Sequence, residues 1–410
     1  MCINNNILDA LITAGLSENC EITEQTETML ATMTEKDWTE LWRCAELHQI
    51  WGVVSAGLDK FGVKDIPREI REKFQNAKIQ LSLQYYTLLS FTTYVLSLLK
   101  NAGISAYVLK GISLNSLYPS EEMRKLADAD IYIPDRKAFG RAECILREKG
   151  FESEKGLAEF HSGWTKKMGN KICLLELHWR PCDFLSDSAS EKAIRDIYSE
   201  LSYRPDCYLA AGQKIPVLPP AENALQLLLH MAQHFVNAGF GLRMLCDWSV
   251  FWRKKTGDVE TEVFLRYLED TGLTGFAWTV TQLCVRHMGL PYKCVPWLEE
   301  INGEEYKGSE EKLYRDIIEG GEFGRGVNSR VVILKGSSNI LKSYVYEVHR
   351  VMRKRFPRLR KLVIVWPVLW TVTIAIFLRN NRGLGRGKTS DVIKSAKQRN
   401  ALMKQMKMFE

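Results

Sequence analysis

The sequence predicts an α/β protein, with a small mixed sheet in an α+β core that helical segments flank on both sides. Three observations lead there. Before residue 98 and after residue 219, apolar residues recur at three- and four-residue spacing, the helical period. Between those segments come short β-branched and aromatic runs closed by glycine or proline, the mark of strands. With 410 residues, 46% of them hydrophobic and 26% charged, the chain can bury a core and divide into two or three domains. The expected divisions are a helical region at 1–98, the α/β core at 99–185, a helical domain at 186–345 and a basic tail at 346–410.

Residues 34–62, TEKDWTELWRCAELHQIWGVVSAGLDKFG, carry helical spacing, and Thr34 is placed to cap the helix that follows. DIPREIREKFQNAKIQLSLQYYTLLSFTTYVLSLLKNAG reads as one or two further helices, stopped at Asn101-Ala102-Gly103. After Gly103 the pattern changes. ISAYVLKG is a short strand with a glycine exit, and SLNSLYPS a helical turn. KLADADIYIP is a strand closed by Pro134, and a helix follows from about Arg136 to Lys149. KICLLELHW, residues 171–179, is a second strand. Strand, helix and strand in this order form an α/β unit. From Pro219 the chain turns helical again through PPAENALQLLLHMAQHFVNAG, with more helices at Trp248, Phe264 and Trp278. YRDIIEGGEFGRG is a glycine-rich loop.

Ten cysteines without a CxxC pair read as reduced thiols rather than a zinc site or disulfide framework. The first residues have neither a basic n-region nor a long apolar h-region, so no secretory signal is expected and a cytoplasmic place is. The net charge of +7 hides an asymmetry: Arg350 to Glu410 holds 16 Lys and Arg against 2 acids, a net of +14. Such a tail can meet nucleic acid, an anionic membrane surface or an acidic partner, and a solvated charged helix is the plainer reading.

Asp128 and Asp130 are two apart, so in a strand they share a face. Like charges that close destabilise the ionised pair unless water or a cation separates them. Hard carboxylate oxygens suit Mg²⁺, which is bound through one or two carboxylates and substrate phosphates, with Mn²⁺ an alternative. Glu176 is the expected third acid, because in LLELHW it alternates with Leu175 and Leu177 and shares a face with His178. Lys110 and Gly111 could bring an ammonium and backbone N–H groups to a triphosphate.

VLKGISLNSLYP, MRKLADADIYIP and LLELHW together resemble the uncharacterised bacterial nucleotidyltransferases of the DNA polymerase beta and antibiotic nucleotidyltransferase superfamily. By that resemblance Lys110 and Gly111 match a Leu-Lys-Gly motif, and Arg124 the arginine ahead of the aspartates. Asp128 and Asp130 match the metal pair, and Glu176, His178 and Trp179 the acid-Leu-His-Trp strand. ALQLLLHMAQHF and LRMLCDW match the family's helical region at His230, His234, Arg243 and Asp247, and GGEFGRG a later element. The likeness runs over roughly residues 95–330. Ala129 and Tyr132 replace more aliphatic residues, and Lys110-Gly111 with Ser113 stands in for the superfamily's glycine-serine phosphate motif.

The implied function is Mg²⁺-dependent transfer of a nucleoside monophosphate from an NTP, ATP being the expected one, to an acceptor. Asp128, Asp130 and Glu176 would be catalytic metal ligands, with Lys110, Gly111, Ser113, Arg124 and His178 at the nucleotide. Competing readings are a regulatory protein that retains the nucleotide pocket and a nucleic-acid binder working through the tail. Plainer roles stand beside several residues: Lys110 as a solvated lysine, Arg124 as a partner of Asp128, His178 as a packed ring. His230 and His234 are expected to place one ring in the core and one in the cleft, with Asp247 holding Arg243 or a histidine, and to form no zinc site. Trp248 and Trp252 read as core.

LVIVWPVLWTVTIAIFL, residues 362–378, is 17 residues long and interrupted by Pro367. A span needs about 20. A basic helix leading into an apolar one is expected over 350–378, packed on protein rather than crossing a bilayer. Peripheral attachment to anionic lipid is the alternative.

Overall fold

The computed structural model describes residues 5–18, 24–154, 160–182, 188–201, 203–237 and 239–321, together with 348–349, 352, 356, 362–383 and 389–409. The chain begins with helices α1 (Asn5–Leu16), α2 (Glu24–Ala31), α3 (Glu35–Leu47), α4 (Trp51–Lys60) and α5 (Arg68–Asn101). Thr34 caps α3 as expected: its Oγ1 accepts from Asp37 N at 3.3 Å, and Asp37 Oδ2 accepts from Thr34 N at 2.9 Å. The segment ending at Asn101 is a single helix of 34 residues.

The core follows as β1 (Tyr107–Leu109), α6 (Ile112–Asn115), β2 (Ala129–Tyr132), α7 (Arg136–Glu148), β3 (Glu152–Ser153), β4 (His161–Met168) and β5 (Lys171–His178). The sheet order is β1-β2-β5-β4-β3. β2 and β5 run parallel and the other neighbours antiparallel, so the sheet is small and mixed. Parallel pairing of β2 with β5 needs a crossover, which α7 and the β3–β4 segment supply. Alternation decides the faces. Ala129, Ile131, Leu175 and Leu177 are fully buried on one side, which leaves Asp130, Glu176 and His178 on the other. Asp135 ends the β2 exit by capping α7, its Oδ1 accepting from Lys137 N at 2.8 Å.

Beyond the sheet come α8 (Ser188–Ser199), β6 (Asp206–Ala210), β7 (Gln213–Val217), α9 (Pro220–Asn237), α10 (Leu242–Lys255), α11 (Thr261–Thr271), α12 (Thr274–His287) and α13 (Ser309–Gly320). Within the region expected to be helical, 186–345, β6 and β7 form an antiparallel hairpin. Its two-residue turn, Ala211-Gly212, has positive φ at both positions, 42° and 77°. That is the backbone a tight hairpin demands. Trp248 and Trp252 are core residues, and Trp248 Nε1 donates to Thr281 Oγ1 at 2.9 Å.

In the tail, α14 (Trp366–Gly383) follows a 3₁₀ turn at Val363–Val365, and α15 (Thr389–Gln405) closes the chain. Pro367 does not interrupt the apolar run. It is the second residue of α14, where a missing N–H removes no helical bond. Leu369 and Thr373 are buried, whereas Val363, Ile364 and Val368 are exposed, so the run is covered on one side only. No described helix is long and apolar enough to cross a membrane. α15 joins the body: Leu402 and Met406 are buried in the core, and Arg399 pairs with Asp316 at 3.1 Å. Most of the expected basic helix at 350–361, and GGEFGRG beyond Gly321, lie outside the described residues.

Candidate active site

Asp128 stands just before β2 and Asp130 within it, while Glu176 pairs with Asp130 across the β2–β5 register. A carboxylate oxygen from each lies within 4.8 Å of the other two. Three acids on one sheet face are costly unless cations offset them. Lys110 Nζ supplies one positive charge 3.1 Å from Asp130 Oδ1, and His178 Nε2 lies 3.0 Å from the same oxygen and 3.3 Å from Glu176 Oε2. Asp130 Oδ2 is different. It is buried and has no hydrogen-bond partner.

The charges shift accordingly. The Asp130 charge first, and then burial, push the Asp128 carboxyl up to about 6. Burial alone would raise Glu176, but its hydrogen bond with His178 and the Lys110 charge hold it well below the usual carboxylate range. Burial pulls Lys110 down, and Asp130, Asp128 and Glu176 outweigh it, so the ammonium form is favoured. His178 is likewise raised against its burial by Asp130 and Glu176.

Lys110 reaches Asp130 through an unusual backbone. It has a φ of 31° and Gly111 a φ of 52°, both in the left-handed region. A side chain is strained there, which is why glycine follows the lysine. A Cβ added at Gly111 would also stand 3.8 Å from Asp130 Oδ2. Ser113 turns inward, its Oγ donating to the Lys110 carbonyl at 2.8 Å.

The helical region closes the site from the other side. Lys110 Nζ is 3.4 Å from His230 Nε2, and His234 Nε2 is 3.0 Å from the same nitrogen. An ammonium can only donate, so His230 Nε2 accepts and its proton sits on Nδ1. Burial, with Lys110 next, keeps both rings below their ordinary value, and His234 falls to about 3. Both histidines are half-buried, so neither is the core ring expected of one of them.

Arg124 is buried and pairs with Asp247. Its Nε donates to Asp247 Oδ1 at 2.6 Å and its Nη2 to Oδ2 at 2.8 Å. Tyr118 Oη donates to Asp247 Oδ1 at 2.7 Å, and Arg243 Nη1 stands 3.7 Å from Oδ2. Asp247 thus holds Arg124 foremost, with Arg243 beside it. Trp179 lies under the Arg136 guanidinium, 4.4 Å from its ring centre, and packs on Phe139.

His161 was not singled out from sequence. It faces His178 directly across β4 and β5 and stands 3.7 Å from Glu176 Oε1. The signal that could have found it is the hairpin itself, HSGWTKKMGNKICLLELH, folded about Gly169-Asn170. Near the entrance of β2 lies a cavity of about 620 Å³, with Trp42, Trp51, Gln80, Lys125, Ala127 and Lys171 among its walls. Ala127 directly precedes Asp128.

The three carboxylates are hard oxygen donors, and a buried acceptor without a partner is the feature a divalent cation completes. The residues present therefore fit such an ion, which Asp128, Asp130 and Glu176 would hold.

No curated protein matches the chain. Among solved structures it is similar to an antigenic nucleotidyltransferase-like protein from Paracoccidioides brasiliensis, at 12% identity and a TM-score of 0.32, over 52% of this chain and 91% of that one. Residues 34–289, more than half of the 410, match the model of a family described as uncharacterised nucleotidyltransferases. The chain belongs to that nucleotidyltransferase family.

Proposed function

We propose that the chain transfers a nucleoside monophosphate from an NTP to an acceptor, using a divalent cation held by Asp128, Asp130 and Glu176. The observation that carries this reading is the convergence of their three carboxylates, with Asp130 Oδ2 buried and unpartnered. Bound Mg²⁺ or Mn²⁺ would neutralise the triphosphate and polarise the phosphorus–oxygen bond. The acceptor oxygen would form a bond to the α-phosphorus as the bond to pyrophosphate breaks in line, and the acceptor's proton would pass to solvent water.

The residues divide that task. Glu176, held ionised, suits a ligand better than a base, because a strongly depressed carboxylate is a poor proton acceptor at neutral pH. Lys110 and His178 fix the Asp130 carboxylate from two directions. Lys110 also sets a positive charge beside the phosphates. The Arg124–Asp247 pair braces the segment leading into Asp128, which makes Arg124 a positioning residue in this reading.

The test is a screen of the four NTPs with Mg²⁺ or Mn²⁺ over candidate acceptors and cell extract, reading pyrophosphate release and mass added. Glu176→Gln changes charge but hardly shape, and it should lose most turnover, about a hundredfold or more, while unfolding as wild type does. NTP binding without any cation-dependent turnover would instead mark a regulatory protein. Binding that disappears with added salt and with removal of residues 350–410 would mark a nucleic-acid binder.

A further inference from the structure

The β4–β5 hairpin carries a second group of donors whose chemistry differs from the aspartate pair. His161 and His178 are direct cross-strand partners, and Glu176 lies two residues before His178 on the same face. One donor atom from each of the three lies within 4.8 Å of the other two. Glu176 is placed between the rings: Oε1 is 3.7 Å from His161 Nε2, and Oε2 is 3.3 Å from His178 Nε2.

Those spacings discriminate between two readings. A nitrogen-to-oxygen hydrogen bond is about 2.7 to 3.2 Å long, so 3.7 Å is too far for the imidazole of His161 to hold Glu176 directly. Two ligands each about 2.1 Å from one ion are about 3 to 4 Å apart, which both distances satisfy. The His161 side chain is 19% exposed and that of Glu176 31%, so an ion from solvent can reach them.

We propose that His161, Glu176 and His178 form a second cation site, joined through Glu176 to the one at Asp128 and Asp130, and that its imidazoles select Mn²⁺ over Mg²⁺. This rests on the metal-dependent reading above, which itself requires no nitrogen ligand. Mg²⁺ takes oxygen donors and dehydrates reluctantly, whereas imidazole suits the first-row transition ions. His178 Nε2 is also 3.0 Å from Asp130 Oδ1, so an ion in the hairpin site displaces the proton shared with Asp130 and lies against the aspartate site. The consequence is a pair of sites with unlike preferences, one of oxygen donors and one of mixed nitrogen and oxygen.

The full chain, without nucleotide, is titrated with Mn²⁺ and followed by electron paramagnetic resonance. Free Mn²⁺ reports the number bound, and pulsed spectra report coupling to ¹⁴N. Wild type should bind two Mn²⁺, with imidazole ¹⁴N modulation. His161→Ala and His161→Gln should each weaken one of the two by about tenfold or more and diminish the ¹⁴N signal. Asp128→Asn should leave the nitrogen-coupled ion in place. Bound Mn²⁺ without ¹⁴N coupling, or His161 variants that match wild type in both number and spectrum, would overturn the site. Turnover with Mg²⁺ in a protein that shows no ¹⁴N coupling sinks this inference alone and leaves the proposed function standing. Nitrogen-coupled Mn²⁺ in a protein that turns over no NTP sinks the proposed function alone.

Discussion

Asp130 and Asp247 are both buried aspartates, 2% and 6% exposed, and their surroundings complete them differently. Asp247 is saturated. Both of its oxygens take an Arg124 nitrogen, and Tyr118 adds a third bond. Asp130 has Lys110 and His178 crowded on Oδ1 and nothing on Oδ2, with two more carboxylates close by. A buried charge is tolerated where every lone pair is answered, and costs several kcal/mol where it is not. The saturated aspartate therefore belongs to the frame, and the incomplete one to whatever binds.

That contrast predicts opposite phenotypes for matched substitutions. Asp130→Asn would remove a ligand of the proposed cation while preserving shape, so turnover should drop by about a thousandfold, corresponding to roughly 4 kcal/mol of transition-state stabilisation. Its urea midpoint should stay near that of wild type. Pyrophosphate release within tenfold of wild type would erase the distinction between the two aspartates.

Asp247→Ala strands the Arg124 guanidinium in the interior. Losing one partner of a buried pair costs about 3 to 5 kcal/mol, to be read as a lower urea midpoint at constant slope. The fraction that remains folded should keep its Mn²⁺ affinity. A loss below about 1 kcal/mol would mean that the pair is no better than a surface bridge.

Asp128 gives the comparison a pH axis. Its carboxyl is raised from 3.8 to about 6, so ionising it in the folded protein is unfavourable. The stability that comes from keeping it protonated is fully present below its ordinary value and is lost as pH rises through about 6. Asp128→Asn should therefore stabilise the metal-free protein by about 3 kcal/mol at pH 8 and by almost nothing at pH 4. Urea unfolding in chelator at both pH values checks the sign. Equal midpoints at pH 8 would show that the carboxylates do not strain one another.

The incomplete site was far more legible in the sequence than the saturated one. Asp128, Asp130 and Glu176 announce themselves by two-residue spacing among aliphatic residues, a local pattern that needs no knowledge of the fold. Arg124 and Asp247 are 123 positions apart, and Asp247 sits in a helix where any of several cations could have claimed it. The resemblance supplied both residues but not their pairing. β4 escaped because HSGWTKKM buries only Trp164, so its alternation is faint. β6 and β7 are not legible in the sequence because lysine, glutamine and proline dilute the buried positions Tyr208, Ala210, Ile215 and Val217. In the tail, Pro367 reads as an interruption by its type, whereas its position at a helix start makes it compatible.

Ser113 offers the smallest and most discriminating test, because it is the neutral counterpart of the saturated aspartate. The resemblance places it at the nucleotide, in the stead of the superfamily's phosphate-binding serine. In the structure it is 1% exposed and its hydroxyl donates to the Lys110 carbonyl at 2.8 Å. That bond secures the left-handed turn at Lys110 and Gly111 from which the ammonium reaches Asp130. If the hydroxyl is committed to the frame, Ser113→Ala should cost about 1 kcal/mol of stability, the usual worth of one hydrogen bond. The KM for the NTP should change less than about twofold, since uniform binding would lose nothing. A KM raised tenfold at unchanged stability would put the hydroxyl on a phosphate and move Ser113 to the open side of the comparison, alongside Asp130.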